Sequence, residues 1–147
     1  MNGKTPMRMR EKLILRVVGK SFVPFILLFA LYVQFHGDFG PGGGFQAGVI
    51  FASGIVLYGL IYGLEETQKI LPKSWVETGL ALGLLLYACT GLVGILRGAE
   101  FLNYNVLAHD PHHGQHYGLL LIEGGVGLAV TCAMTLIYYL FAGRGRR

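Results

Sequence analysis

The sequence is poor in charge. Asp, Glu, Lys and Arg make up 14% of its 147 residues, against about 25% in an ordinary soluble domain, while hydrophobic residues make up 53%. The apolar residues come in blocks rather than at amphipathic spacing, which excludes a soluble globular fold and predicts an integral membrane protein. Cysteine is nearly absent. Cys89 and Cys132 both fall inside apolar runs, and helix rise places them about 10 Å apart in depth, too far for a disulfide. Both are expected as small buried side chains. There is no Cys-x-x-Cys pair, no haem attachment site and no paired nucleophile and base, and Gly42-Gly43-Gly44 lacks the Lys-Ser/Thr of a phosphate loop. The expectation is therefore no enzyme and no cofactor. A cleaved signal peptide is not expected either, because Lys20 and Pro24 interrupt the first apolar run and no small-residue cleavage site follows. The net charge of +4 does not imply nucleic acid, since no basic surface is interleaved with aromatics.

What is present is hydrocarbon in four runs, roughly 17–35, 45–64, 76–96 and 118–141, each near the ~20 residues that cross a bilayer. The predicted fold is all-α, with four transmembrane helices. A basic amphipathic segment (1–16) precedes the membrane domain (17–141), and a basic tail (142–147) follows it. Pro24 should kink the first helix or mark an interfacial turn. Gly59-x-x-x-Gly63 and Gly79-x-x-x-Gly83 offer small-residue faces for close helix contact. Residues 65–75 read as a short polar loop with Trp75 as an interfacial anchor, and 97–117 as a long loop holding four of the five histidines. Eleven of the twelve Lys and Arg lie in residues 1–20, the 65–75 loop or the tail. Four spans put these on one side, so both termini are expected in the cytoplasm, with anionic lipid headgroups as incidental partners.

Between the first two runs lies His36-Gly37-Asp38-Phe39-Gly40-Pro41-Gly42-Gly43-Gly44-Phe45-Gln46. Four glycines and a proline in five residues cannot be ordinary helix. The segment is either a tight surface loop or a packed re-entrant corner, since irregular backbone survives at membrane depth only under protein or in a hydrated cavity. The helix that Phe45 and Gln46 open would aim its unpaired N–H groups at Asp38 and His36. Those two residues read either as capping groups or as polar groups at the mouth of a hydrated path.

Glu123 is the sharpest single residue. It sits about 8 Å inside the fourth run by helix rise. A carboxylate there is costly and marks an ion or proton path; the bland reading is a hydrogen bond to a neighbouring helix or to Arg97. Gly124, Gly125 and Gly127 beside it permit close approach of a helix or hydrated backbone. Glu77, at the inner end of the third run, is explained by the helix dipole, with an ion-path role as the alternative; Glu100, just outside that run, is expected to be solvated or paired with Arg97. Asp110, His112, His113 and His116 have metal-ligand spacing. The His-x-x-His-His pattern resembles one box of membrane di-iron desaturases, but those need several boxes and the chain has one histidine left over. A solvated or subunit-contacting loop is the preferred reading, with a metal site as the lesser alternative.

The run His36 to Gln46, continued by Ala47-Gly48-Val49-Ile50, resembles the signature corner of the MnhB/MrpB family. Ile122-Glu123-Gly124-Gly125-Val126-Gly127 resembles its last-helix motif, an acidic residue followed by Gly-Val-Gly. Order, layout and length agree over essentially residues 15–141. The third corner position, commonly His in the family, is Asp38 here, so no histidine role carries over to it. The resemblance implies a non-catalytic membrane subunit of a multisubunit Mrp-type sodium/proton antiporter in the prokaryotic plasma membrane. Such a subunit would shape the path of Na+ or H+ and contact other membrane subunits in a hetero-oligomer. The alternative is an accessory subunit of an ion-pumping respiratory or hydrogenase-type complex.

Overall fold

The computed structural model describes residues 13–37, 41–96, 98, 102 and 111–144, with backbone alone over 111–115. Five helices follow in order: α1 (Leu13–His36), α2 (Gly44–Tyr62), α3 (Leu64–Ile70), α4 (Lys73–Leu96) and α5 (Pro111–Arg144). All but α3 are long and apolar enough to cross a membrane. Even α2, with 19 residues, is about 28 Å long, close to the hydrocarbon thickness of a bilayer.

The four long helices form a row. α1 packs on α2, α2 on α5, and α5 on α4, while α1 reaches α5 at Gln34 and Gly37. A row leaves much surface uncovered. α1 buries only Ala30 and Val33 fully, and Phe22, Phe25, Leu28 and Phe29 stand exposed. Apolar surface on this scale belongs to lipid or to other chains. The contacts within the row are made by small residues, as expected where lipid is as apolar as the interface. A Cβ on Gly83 of α4 would stand 2.7 Å from the Gly125 carbonyl of α5, and one on Gly48 of α2 would stand 2.7 Å from the Gly127 carbonyl.

α2, α3 and α4 meet at one end. Gly63 breaks the chain out of α2 with φ +95°, a conformation that glycine takes at least cost. Its carbonyl accepts from both the N–H and the hydroxyl of Thr67. Pro72 then opens α4, its carbonyl accepting from Trp75 and Val76. Tyr139 of α5 donates to the Leu71 carbonyl at 2.8 Å and joins Val76 and Cys132 in the buried cluster.

Several expectations need correction. Residues 64–70 form the helix α3 rather than part of a polar loop. Gly63 lies beyond α2, where a Cβ would meet nothing within 4 Å, so Gly59 alone of that pair makes a helix contact, against the ring of Tyr138. Gly79 and Gly83 do both face α5. The backbone over 111–117 is the start of α5, not loop. Cys89 is exposed while Cys132 is buried, and both are free. Pro24 lies inside α1 rather than at the end of an interfacial turn. Arg97, Glu100 and residues 1–12 lie outside the described residues.

Candidate functional site

The end of the row opposite α3 gathers the corner and Glu123. α1 terminates at His36, whose ring stacks on Tyr32 with centroids 5.2 Å apart. The chain returns through Gly42 and Gly43, and the Gly43 N–H donates to the Val33 carbonyl at 3.1 Å, folding the corner onto the last turn of α1. Gly43 has φ +111°, which a side chain would strain. A Cβ on Gly42 would meet the same Val33 carbonyl at 2.8 Å.

Into this corner α5 delivers Glu123. A Cβ on Gly37 would stand 2.5 Å from Oε1 and 2.7 Å from Oε2 of the carboxylate, and one on Gly43 would stand 2.9 Å from Oε1. A Cβ on Gly44 would strike the main-chain carbonyl of Glu123 itself. The missing side chains at 37, 43 and 44 are therefore the space that Glu123 fills. They also bring its carboxylate to the N-terminus of α2. Gly43 caps that helix without a side-chain hydrogen bond, and the first helical bond runs from Ala47 to the Gly43 carbonyl. The opening N–H groups of α2 thus lack helical acceptors, and the positive end of the helix faces a negative group supplied by a neighbour.

Below the carboxylate, α1, α2 and α5 enclose a cleft of ≈ 260 Å³, lined by Gln34, Ala47, Gly48, Gly124, Gly127 and Thr131 among others. Gln34 lies across Gly127, where a Cβ would come within 2.5 Å of its Oε1. Thr131 donates to the Gly127 carbonyl at 2.7 Å, and the Gly48 carbonyl lies 3.2 Å from the same hydroxyl. Gly124 meets nothing within 4 Å, so the helix face beside Glu123 is open. Gly125 turns the other way, onto Gly83 and Tyr87 of α4.

The structure thus brings Glu123 together with Gly37, Gly43 and Gly44, packs Gly42 on Val33 and Gly37, and places His36 next in sequence to the contact. Gly48, Gly125 and Gly127 are helix–helix contacts. Pro41, Phe45 and Gln46 line an outer groove between α1 and α2 instead, and Phe45 is exposed. Glu77 does not join the site. It pairs with Lys73 at 3.4 Å on an exposed surface. Its neighbour Gly79 faces Cys132, nine residues along α5 from Glu123, or about 13 Å. Asp38 and Asp110 lie outside the described residues, as do the side chains of His112 and His113. Among the described residues no group of three His, Cys, Asp or Glu could hold a metal. Gln34 and Thr131 were missed by sequence reasoning. Both carried the signal that singled out Glu123, a polar side chain inside an apolar run, and Thr131 lies two steps of four residues below it, on the same helix face.

Residues 14–136 match the family described as "Domain related to MnhB subunit of Na+/H+ antiporter". The chain is 40% identical over 128 residues to a Na(+)/H(+) antiporter subunit of Bacillus subtilis (strain 168), covering 87% of this chain and 82% of that protein. It is 32% identical over 133 residues to the putative antiporter subunit mnhB2 of Staphylococcus haemolyticus, covering 88% and 94%. Against the putative antiporter subunit mnhB2 of Staphylococcus aureus (strain Newman) it is 35% identical over 131 residues, covering 84% and 92%. With the family match running through both the glycine corner and the Glu123 motif, the chain belongs to the MnhB family.

Proposed function

We propose that this chain is a small membrane subunit of a multisubunit monovalent cation/proton antiporter, and that Glu123 stands in the ion path. The relatives' names supply the first half of the reading and favour an antiporter over a respiratory complex. One observation carries the second half: a carboxylate inside a membrane span, seated in a pocket made by omitting side chains at Gly37, Gly43 and Gly44, against the N-terminus of α2. Hydrocarbon disfavours a charge there, whereas a helix N-terminus favours a negative one. A group held between opposing effects can exchange a proton or meet a cation without rearranging its surroundings. His36, and Asp38 close by in sequence, would form the entrance; Glu77 lies too far away to act directly with Glu123.

The distribution of Lys and Arg supports a topology with both termini in the cytoplasm of a bacterium and the Glu123 site in the outer half of its plasma membrane. Other membrane subunits would cover the bare faces of the row and complete the path. The test is Glu123→Gln in the assembled complex, with Na+/H+ exchange followed by a pH-sensitive dye in everted vesicles. Exchange should fall severely while co-purification of the partner subunits persists. Wild-type exchange in that variant defeats the ion-path role.

A further inference from the structure

The first half of α1 repeats Arg16, Lys20, Val23 and Leu27 at intervals of four, three and four, which stacks them on one face of the helix. The lower part of this face does not close against its neighbours. Val23 and Leu27 line a cleft of ≈ 280 Å³ with Phe51, Tyr58, Ile70 and Leu71, drawn from α1, α2, α3 and the turn after α3. Gly54 keeps its floor open, since a Cβ there would stand 3.0 Å from Leu27. The two cations share this face of α1 and lie beyond the cleft-lining residues along the helix axis. Lys20 is about 4.5 Å and Arg16 about 10 Å further along the axis than Val23. Arg16 is fixed at that height by the ring of Tyr62, 5.5 Å from its guanidinium carbon. Tyr62 in turn stacks on Tyr58, centroids 4.5 Å apart, which lines the cleft. Of the acidic groups on α3, Glu66 is engaged by Lys69 at 2.8 Å and Glu65 is exposed.

We propose that this face binds one anionic phospholipid of the leaflet in which α1 begins. Its acyl chain lies in the cleft and its phosphate between Arg16 and Lys20. The order of groups along the face is that of the lipid: cations and tyrosines at headgroup height, hydrocarbon walls beneath. Charge selects the lipid, because each Lys or Arg near the surface contributes a roughly equal increment of attraction for anionic headgroups.

The test uses the full chain with its co-purifying subunits, reconstituted in vesicles of phosphatidylcholine and phosphatidylglycerol. A trace of spin-labelled phosphatidylglycerol or phosphatidylcholine reports the motion-restricted lipid. The wild type should prefer phosphatidylglycerol by up to about 30-fold, the contribution of two cations. Arg16→Gln with Lys20→Gln should bring the preference near unity, and Arg16→Lys should retain it. Val23→Trp fills the cleft with both cations in place, and should lower the excess of motion-restricted phosphatidylglycerol over phosphatidylcholine toward that of the double variant, while lipid on the other bare faces stays restricted. The proposal is overturned if the double variant keeps its preference, or if Val23→Trp leaves that excess unchanged. It also fails if the wild type shows no such excess, as when a partner chain occupies the cleft.

Discussion

Gly44 and Gly124 belong to the same small-residue neighbourhood, yet an added methyl group should have opposite effects at the two. At Gly44 the new Cβ collides with the carbonyl oxygen of Glu123 and stands 2.8 Å from its carbonyl carbon and 3.0 Å from its Cα. All three are backbone atoms of a long helix, so no rotamer change relieves the contact and α2 must move off α5. Overpacking of this kind costs about 1–3 kcal/mol. At Gly124 a Cβ meets nothing within 4 Å, and Ala is worth up to about 1 kcal/mol over Gly inside a helix. Gly44→Ala should therefore lower the unfolding midpoint in mild detergent by about 4–8 °C, taking ~2 kcal/mol at the slope for a chain of this size. It should also impair exchange, because the carboxylate is carried away from the corner. Gly124→Ala should leave the midpoint unchanged or raise it. Paired thermal-unfolding and vesicle-exchange measurements decide the matter. A Gly44→Ala protein as stable and active as the wild type would refute the close approach of α2 to α5 at Glu123.

Three further outcomes follow from contacts elsewhere in the row. Tyr139→Phe removes the only hydroxyl bonded to the Leu71 carbonyl among the described residues and should cost about 1 kcal/mol, read as a lowered unfolding midpoint. Cys89 is exposed and Cys132 buried, so maleimide in mild detergent should modify Cys89 alone until the protein is denatured, as read by peptide mass. Gly37→Ala should impair exchange by crowding the Glu123 carboxylate, and so should Glu123→Asp by shortening it. Combined, they should be less harmful than the sum, with a coupling of about 0.5–3 kcal/mol for groups in contact, measured by exchange rates of the four proteins.

The membrane spans are legible because hydrocarbon thickness imposes a length that composition reveals. The run at 17–35 corresponds to Leu13–His36, and the run at 45–64 to Gly44–Tyr62. The interruptions between runs are harder to read. Seven residues cannot hold a helix in isolation, so Leu64–Ile70 reads as loop; what orders it is tertiary, the buried Thr67 and the bond from Tyr139 to Leu71 just beyond its end. Asp110-Pro111 has the chemistry of a turn, but proline also suits the first turn of a helix, and α5 starts there. The exposure of Cys89 is hidden in the sequence because α4 is apolar all round, and such a helix carries no periodicity to say which face is covered. Glu123 stands out as a lone carboxylate in a span. Its companions do not, because the meeting of α5 with the corner depends on α5 lying beside α2, and no local pattern encodes the order α1–α2–α5–α4.

That order also sets what the chain contributes to transport. The helices at the ends of the row, α1 and α4, present most of their circumference outward, and the cleft under Glu123 lies between α1, α2 and α5 rather than inside a closed bundle. Further down α5 toward α3, the half-buried Thr131 and the buried Thr135 and Tyr139 each donate to a carbonyl: Gly127, Thr131 and Leu71. The two threonine bonds fall within α5 and satisfy hydroxyls that hydrocarbon would leave unpaired, the tyrosine bond ties α5 to the turn after α3, and none of the three groups is charged. Among the described residues, no second carboxylate comes near Glu123 from within the span, and Glu77 is tied to Lys73 on the surface. Among the described residues, then, no further carboxylate continues from Glu123 down the packed helices, and under the proposed role the groups below it would come from chains packed against the open faces of the row.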